Sequence, residues 1–173
     1  MIRKIFRVIR DSWYSDEQYG RKLGVKIGRN CSIATRFFGS EPYLITIGNH
    51  VQITSEVRFF THGGGWIFRL RKPNFDTFGR ITIGDNVYIG NCTLIMPGVT
   101  IGSNVIVGAG SVVTKSVADN MVVAGNPARV IGNVDDLEKR LDPFNVNSKQ
   151  LSYLEKKELL LRLPVEAFIS KPS

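Results

Sequence analysis

Cysteine and histidine are scarce in this chain, two of each among 173 residues, and the scarcity excludes several chemistries. Cys31 and Cys92 are too few for a disulfide framework and show no metal-ligand spacing, so a reduced, cytoplasmic setting is the default. Long apolar runs are also missing. No stretch approaches the roughly 20 apolar residues needed to span a bilayer. The opening MIRKIFRVIR is not a cleavable signal, because Lys4 and Arg7 interrupt the apolar core that export needs. A phosphate-binding glycine loop of the P-loop or dinucleotide type is absent too, since the glycines of "VGAGS" fall inside a repeat.

What is present in excess is positive charge. The formal net charge of +8 asks for an anionic partner. Nucleic acid, acidic lipid, or a phosphate-bearing cofactor or substrate each fits that sign. Ile2, Ile5, Phe6, Ile9 and Trp13 fall on one helical stripe, with Arg3, Arg7 and Arg10 toward the other side. Such a helix suits either a membrane surface or, more simply, packing on the main body with its basic face in water.

The middle of the chain is organised by a period of six. Aliphatic residues recur at Ile83, Ile89, Ile95, Ile101, Val107 and Val113, each followed four places later by a small or branched residue. An earlier run keeps the phase through Ile47, Ile53 and Phe59, and a first, shorter one pairs Ile27 with Cys31 and Ile33 with Phe37. Inward residues two apart, as in Val87-Tyr88-Ile89, alternate as in a strand, and groups such as Gly84-Asp85-Asn86, Gly90-Asn91 and Gly102-Ser103-Asn104 between them suit tight corners. A helix drifts at about 3.6 residues per turn and cannot hold this period. The pattern predicts a parallel β-solenoid, whose coils bury their interior only by stacking on one another.

The run "IGDNVYIGNCTLIMPGVTIGSNVIVGAGSVVTKSVADNMVVAGNPARVI" resembles the hexapeptide-repeat acyltransferases, most closely the sugar and polysaccharide O-acetyltransferases of the galactoside and maltose type. The resemblance covers roughly residues 22–132. It implies an all-β fold, a left-handed parallel β-helix with three strands per coil, although right-handed crossovers are the general rule. The expected organisation is an N-terminal helical segment (1–24), a catalytic β-helix (25–131) with an extruded loop at about 65–82, and a helical tail (132–173). In the tail, "SKQLSYLEKKELLLRLP" reads as a helix stopped before Pro164, with Leu151, Leu154 and Leu161 on an apolar side.

The period fails between Phe59 and Ile83, where Gly65, Arg71 and Thr77 occupy interior positions. An aromatic and basic loop is expected there, and long loops usually carry function. Trp66 and Arg69 are candidates for touching the acceptor; the loop's aromatics suit stacking on sugar or nucleotide rings, or else covering the solenoid edge or a neighbouring subunit. His62 stands at the corner just before the loop. Imidazole is a natural base for moving an acyl group from a thioester to a hydroxyl. The resemblance places a histidine here as the general base, acting without a covalent enzyme intermediate. Close relatives carry Asp after that histidine, whereas this chain has Gly63. His50 occupies a corner on a different face and reads first as a turn residue, second as an acceptor contact.

The resemblance further implies acetyl-CoA as acyl donor, with no metal, lying along stacked corners between subunits of a homotrimer. Asn91, Ala109, Thr114, Lys115 and Arg129 align with cofactor-contacting positions, and Tyr88 stands where relatives often have Trp beside the acyl site. Lys115 and Arg129 suit the cofactor's phosphates, which gives the positive charge a purpose other than nucleic acid. The expected activity is O-acetylation of a sugar or glycan precursor. Transfer to an amino sugar, to serine or to an antibiotic hydroxyl stays open, as does a non-catalytic binding module. γ-Type carbonic anhydrases share the coil, but they need three zinc-binding histidines and this chain has two. A cytoplasmic location is expected, at the inner membrane face if the basic N-terminus makes peripheral contact.

Overall fold

The structure, a computed structural model, describes residues 14–170. The N-terminal stripe from Ile2 to Trp13 lies outside the described residues. The chain divides into two compact units, Met1–Val134 and Asp135–Ser173. In the first unit, α1 (Asp16–Leu23) leads into short strands that stack as three sheets, parallel except at the last strand of the second. The first face holds β1 (Lys26–Ile27), β3 (Ile45–Ile47), β6 (Ile81–Ile83) and β9 (Thr100–Ile101). The second holds β2 (Ser32–Ile33), β4 (Val51–Ile53), β7 (Val87–Ile89), β10 (Val105–Val107), β12 (Met121–Ala124) and β13 (Arg129–Asn133). The third holds β5 (Arg58–Phe59), β8 (Leu94–Ile95) and β11 (Val112–Val113). The chain visits the faces in turn, so each circuit forms one coil of a parallel β-helix.

The register follows the period. Ile47, Ile83 and Ile101 stack on the first face, Ile53, Ile89 and Val107 on the second, and Phe59, Ile95 and Val113 on the third. All nine are at most 2% exposed. Burying such a side chain contributes about 1.5–3 kcal/mol, so these stacks are the main favourable contribution to the coil. At the corner between first and second faces, Asn30, His50, Asn86, Asn104 and Asn120 all have φ between 54° and 61°, the left-handed conformation asparagine tolerates best. His50 Nδ1 donates to Asn86 Oδ1 at 2.7 Å, and Asn86 Nδ2 to Asn104 Oδ1 at 2.8 Å, which joins successive corners.

Three details depart from the sequence reading. Phe37 points out and is 43% exposed, while Phe38 is the buried residue, because the first coil is irregular and its third side pairs only through a single bridge to Arg58. The coil resumes at Ile81, two residues inside the expected loop, since Ile81 is fully buried and pairs with Ile45. After Ala124 the chain turns back as β13, antiparallel to β12, an element the period does not encode. This pairing carries the first unit past residue 131, as far as Val134.

α1 covers the N-terminal edge. Ser15 caps it reciprocally with Gln18, Gly24 ends it at φ 101°, and Arg21 donates to the carbonyls of Ile27 and Gly28. In the second unit lies α3 (Tyr153–Arg162), which follows α2 (Val134–Leu141) and is capped by Ser152 with Glu155. It stops before Pro164 as expected, but Leu151, Leu154 and Leu161 are exposed, and the partly sheltered leucines of α3 are Leu159 and Leu160. No helix among the described residues is long and apolar enough to cross a membrane.

Candidate active site

Two successive turns of the chain at the corner between third and first faces place His62 over an acid. In the first coil the corner is the segment Gly39–Leu44; Gly39 has φ +69°, and an added Cβ there would lie 2.9 Å from the Phe59 carbonyl oxygen. A 3-10 turn over Pro42–Leu44 then sets Glu41 beneath the next coil. In that coil β5 delivers Thr61 and His62 to the same corner. Thr61 is buried, and its hydroxyl donates to Glu41 Oε2 at 2.5 Å. His62 Nδ1 lies 2.8 Å from the same oxygen.

A carboxylate only accepts, so this contact assigns the proton to Nδ1 and leaves the lone pair on Nε2. The Glu41 carboxyl is held below its ordinary value by the Thr61 hydroxyl, with burial opposing and the His62 ring adding to the effect. Glu41 is therefore an anion at neutral pH. The arrangement is that of a base fixed in one tautomer by an acid behind it. Glu41 itself escaped the sequence reading. The signal available was the two extra residues between the Ile27 and Ile47 units, marked by Gly39 and Pro42.

His62 lines a cleft of about 430 Å³ together with Thr61, Phe60, Arg58, Phe37 and Arg36. On its far side the loop begins. A bridge between His62 and Phe78 and a hydrogen bond from Gly79 N to Thr61 O close the loop's base, with the two rings 5.7 Å apart. Gly63 and Gly64 have open space around them, and Gly64 takes φ 74°. Within the loop Phe68 packs on Phe75, and Arg69 donates to the Phe75 carbonyl. Trp66 and Arg69 share a separate, smaller cleft of about 230 Å³ with Ile67 and Leu70.

The remaining predicted residues fall on different edges of the prism. Thr114 and Lys115 occupy the same corner as His62, in a later coil. Lys115 and Arg129 line one cleft of about 330 Å³ floored by Val113, Val117, Met121 and Val123. Asn91 and Ala109 sit instead on the corner between second and third faces, where Gly110 N donates to the Asn91 carbonyl. Gly90 admits this stacking, since a Cβ there would lie 2.5 Å from Ala109 N. Tyr88 projects from the middle of the second face between Gln52 and Ile106. His50 is on the corner between first and second faces, and a single chain does not bring it to the His62 cleft. No group of three His, Cys, Asp or Glu among the described residues could hold a metal ion.

Comparison with known proteins gives this geometry a context. Residues 80–115 match the bacterial transferase hexapeptide model of six repeats. The chain is 51% identical to "Protein CapG" of Staphylococcus aureus over 164 residues, which covers 92% of this chain and 95% of that one. It is 37% identical to galactoside O-acetyltransferase of Escherichia coli K12 over 141 residues, 80% of this chain and 70% of the relative. Among solved structures, a hexapeptide-repeat-containing acetyltransferase of Vibrio cholerae O1 biovar eltor, complexed with acetyl coenzyme A, superposes with a TM-score of 0.58 at 32% identity, over 64% of this chain and 61% of that one. The fold is thus the left-handed parallel β-helix, and the chain belongs to the hexapeptide-repeat acetyltransferase family.

Proposed function

We propose that this protein transfers an acetyl group from acetyl-CoA to a hydroxyl of a sugar or glycan precursor, with His62 as general base. The observation that carries the reading is the His62–Glu41 pair at the mouth of a cleft where the coil breaks. When bound, the thioester supplies an acetyl carbon activated for attack. His62 Nε2 takes the acceptor's hydroxyl proton as that oxygen bonds to the acetyl carbon. The carbon–sulfur bond breaks, and the imidazolium returns its proton to the leaving sulfur. Glu41 holds the ring in the required tautomer and offsets the charge the ring acquires during transfer.

The residues present suit the donor. Lys115 and Arg129 offer cations to its phosphates above an apolar floor, and the small corner at Ala109 leaves room for a narrow chain. Thr114 and Lys115 lie on one edge of the prism, Asn91 and Ala109 on another, and Tyr88 on a face. One chain cannot wrap a single ligand with all of them. A homotrimer that sets one subunit's His62 edge against its neighbour's second face unites them, and we adopt that assembly. Acetyl-CoA as donor supports a cytoplasmic location for the reaction.

The test is release of free thiol from acetyl-CoA with a panel of sugars, amino sugars and serine. A sugar hydroxyl should accelerate release, and His62→Ala should abolish the acceleration. An unchanged rate in that variant contradicts the assignment.

A further inference from the structure

The cleft beside His62 has a charge character that acetyl transfer does not require. Apart from His62, the ionisable side chains that line it among the described residues are Arg36 and Arg58, and the carboxylates that pair with them, Asp16 and Glu56, are not part of the lining. Glu41 acts from below, held by Thr61 and His62. We propose that the acceptor carries an anionic group, a carboxylate or phosphate on the sugar, and that Arg58 is the residue that reads it. The inference rests on the acetyl-transfer reading above and names the substrate class of the same site.

Arg58 belongs to β5, the strand that delivers His62, and parallel pairing with β8 fixes its backbone. At most about 13 Å of extended chain separates the two Cα atoms, a span their side chains bridge across one sugar residue. The Arg58 guanidinium carbon lies 4.4 Å from the centroid of the Phe37 ring, a cation–π contact. Its protein partner is Glu56, at 3.2 Å from Nη2, with side-chain exposures of 48% for Arg58 and 55% for Glu56. Such an open pair exchanges readily for a bidentate carboxylate or phosphate, which matches the planar guanidinium better. Arg36 is committed elsewhere, to the Asp16 carboxylate at 2.6 Å and the Tyr14 carbonyl at 2.7 Å, which leaves Arg58 as the guanidinium that meets the acceptor. Phe37 and Phe60 are 43% and 37% exposed in the same cleft and offer flat apolar faces to the sugar ring. A basic, aromatic-walled cleft with a base at one end fits an acidic sugar better than a neutral one.

The test compares galactose, galacturonate and galactose 1-phosphate as acceptors for the full chain with acetyl-CoA, and as ligands without it by saturation-transfer NMR. At least one anionic sugar should exceed galactose about tenfold in kcat/KM, mainly through KM, and the better anion tells carboxylate from phosphate recognition. Arg58→Gln should bring that ratio near unity, while Arg58→Lys keeps part of it; unchanged thermal melting shows that either variant is folded. Binding of the anions that is lost in Arg58→Gln, in protein that passes acetyl to no sugar, upholds the anion site and sinks the transfer reading. Acetylation of galactose as fast as of both anions, or an equal preference in Arg58→Gln, overturns the proposal and leaves the transfer reading standing. If no acetyl passes, equal binding of all three sugars overturns it as well.

Discussion

At the scale of residues, the proposed chemistry rests on a hydrogen bond between a corner that the six-residue period encodes and one that it does not. Loss of a general base costs about 10²–10⁴ in rate, so His62→Ala should fall in that range. Glu41→Gln should lower kcat by less, leave KM for acetyl-CoA unchanged, and alter the pH profile of kcat/KM, because the amide can present its N–H to Nδ1 and favour the wrong tautomer. Steady-state kinetics across pH would show this. The acid also leaves a mark on stability. A carboxyl held below its ordinary value stabilises the fold above that value and loses the contribution as pH falls through the lowered one. The difference in melting temperature between wild type and Glu41→Gln should accordingly be present at neutral pH and shrink on acidification. The corner that holds His62 was legible in the sequence because the period stops beside it. Glu41 was not, because its partner is 21 positions away and comes into reach only through an irregular corner.

At the scale of elements, repeat physics made the coil readable. The stacks Ile47–Ile83–Ile101 and Ile53–Ile89–Val107 follow from spacing alone, since one inward residue fixes the next by strand alternation. Ile89→Ala, at the centre of the second stack, should cost about 2–5 kcal/mol in chemical denaturation. Thr82→Ala, on an exposed position of β6, should stay within about 0.5 kcal/mol. Gly48→Ala should behave like a core substitution despite its corner position, because an added Cβ would lie 2.4 Å from Asp85 Oδ1 and 2.5 Å from the Gly84 carbonyl oxygen. Where the reading missed, spacing gave no guidance. Phe37 and Phe38 are both aromatic, and only the irregular first coil decides which turns in. β13 is antiparallel and follows a turn through Gly125 and Pro127, so no count in sixes reaches it. The helices of the tail were legible from capping and from Pro164, but which of their leucines are sheltered was not.

At the scale of the whole molecule, the positive charge and the scattering of candidate residues over several edges point the same way. A +8 chain suits an anionic donor and, on the further inference, an anionic acceptor. If sites form between copies, two inactive variants should rescue each other. Unfolding and co-assembling His62→Ala with Ala109→Trp should restore about a quarter of the sites by random mixing in a symmetric trimer, whereas neither variant alone recovers activity. Sedimentation equilibrium on each pure variant would check that the assembly itself persists.

The most direct measurement follows acetyl-CoA carrying isotopic label in its acetyl carbons through a single turnover with excess enzyme and a sugar acceptor. Wild type should pass the label to a sugar hydroxyl with no acetylated protein at any time, and His62→Ala should leave it on coenzyme A. Label transferred equally by the variant, or trapped on the protein before it reaches the sugar, would contradict the account.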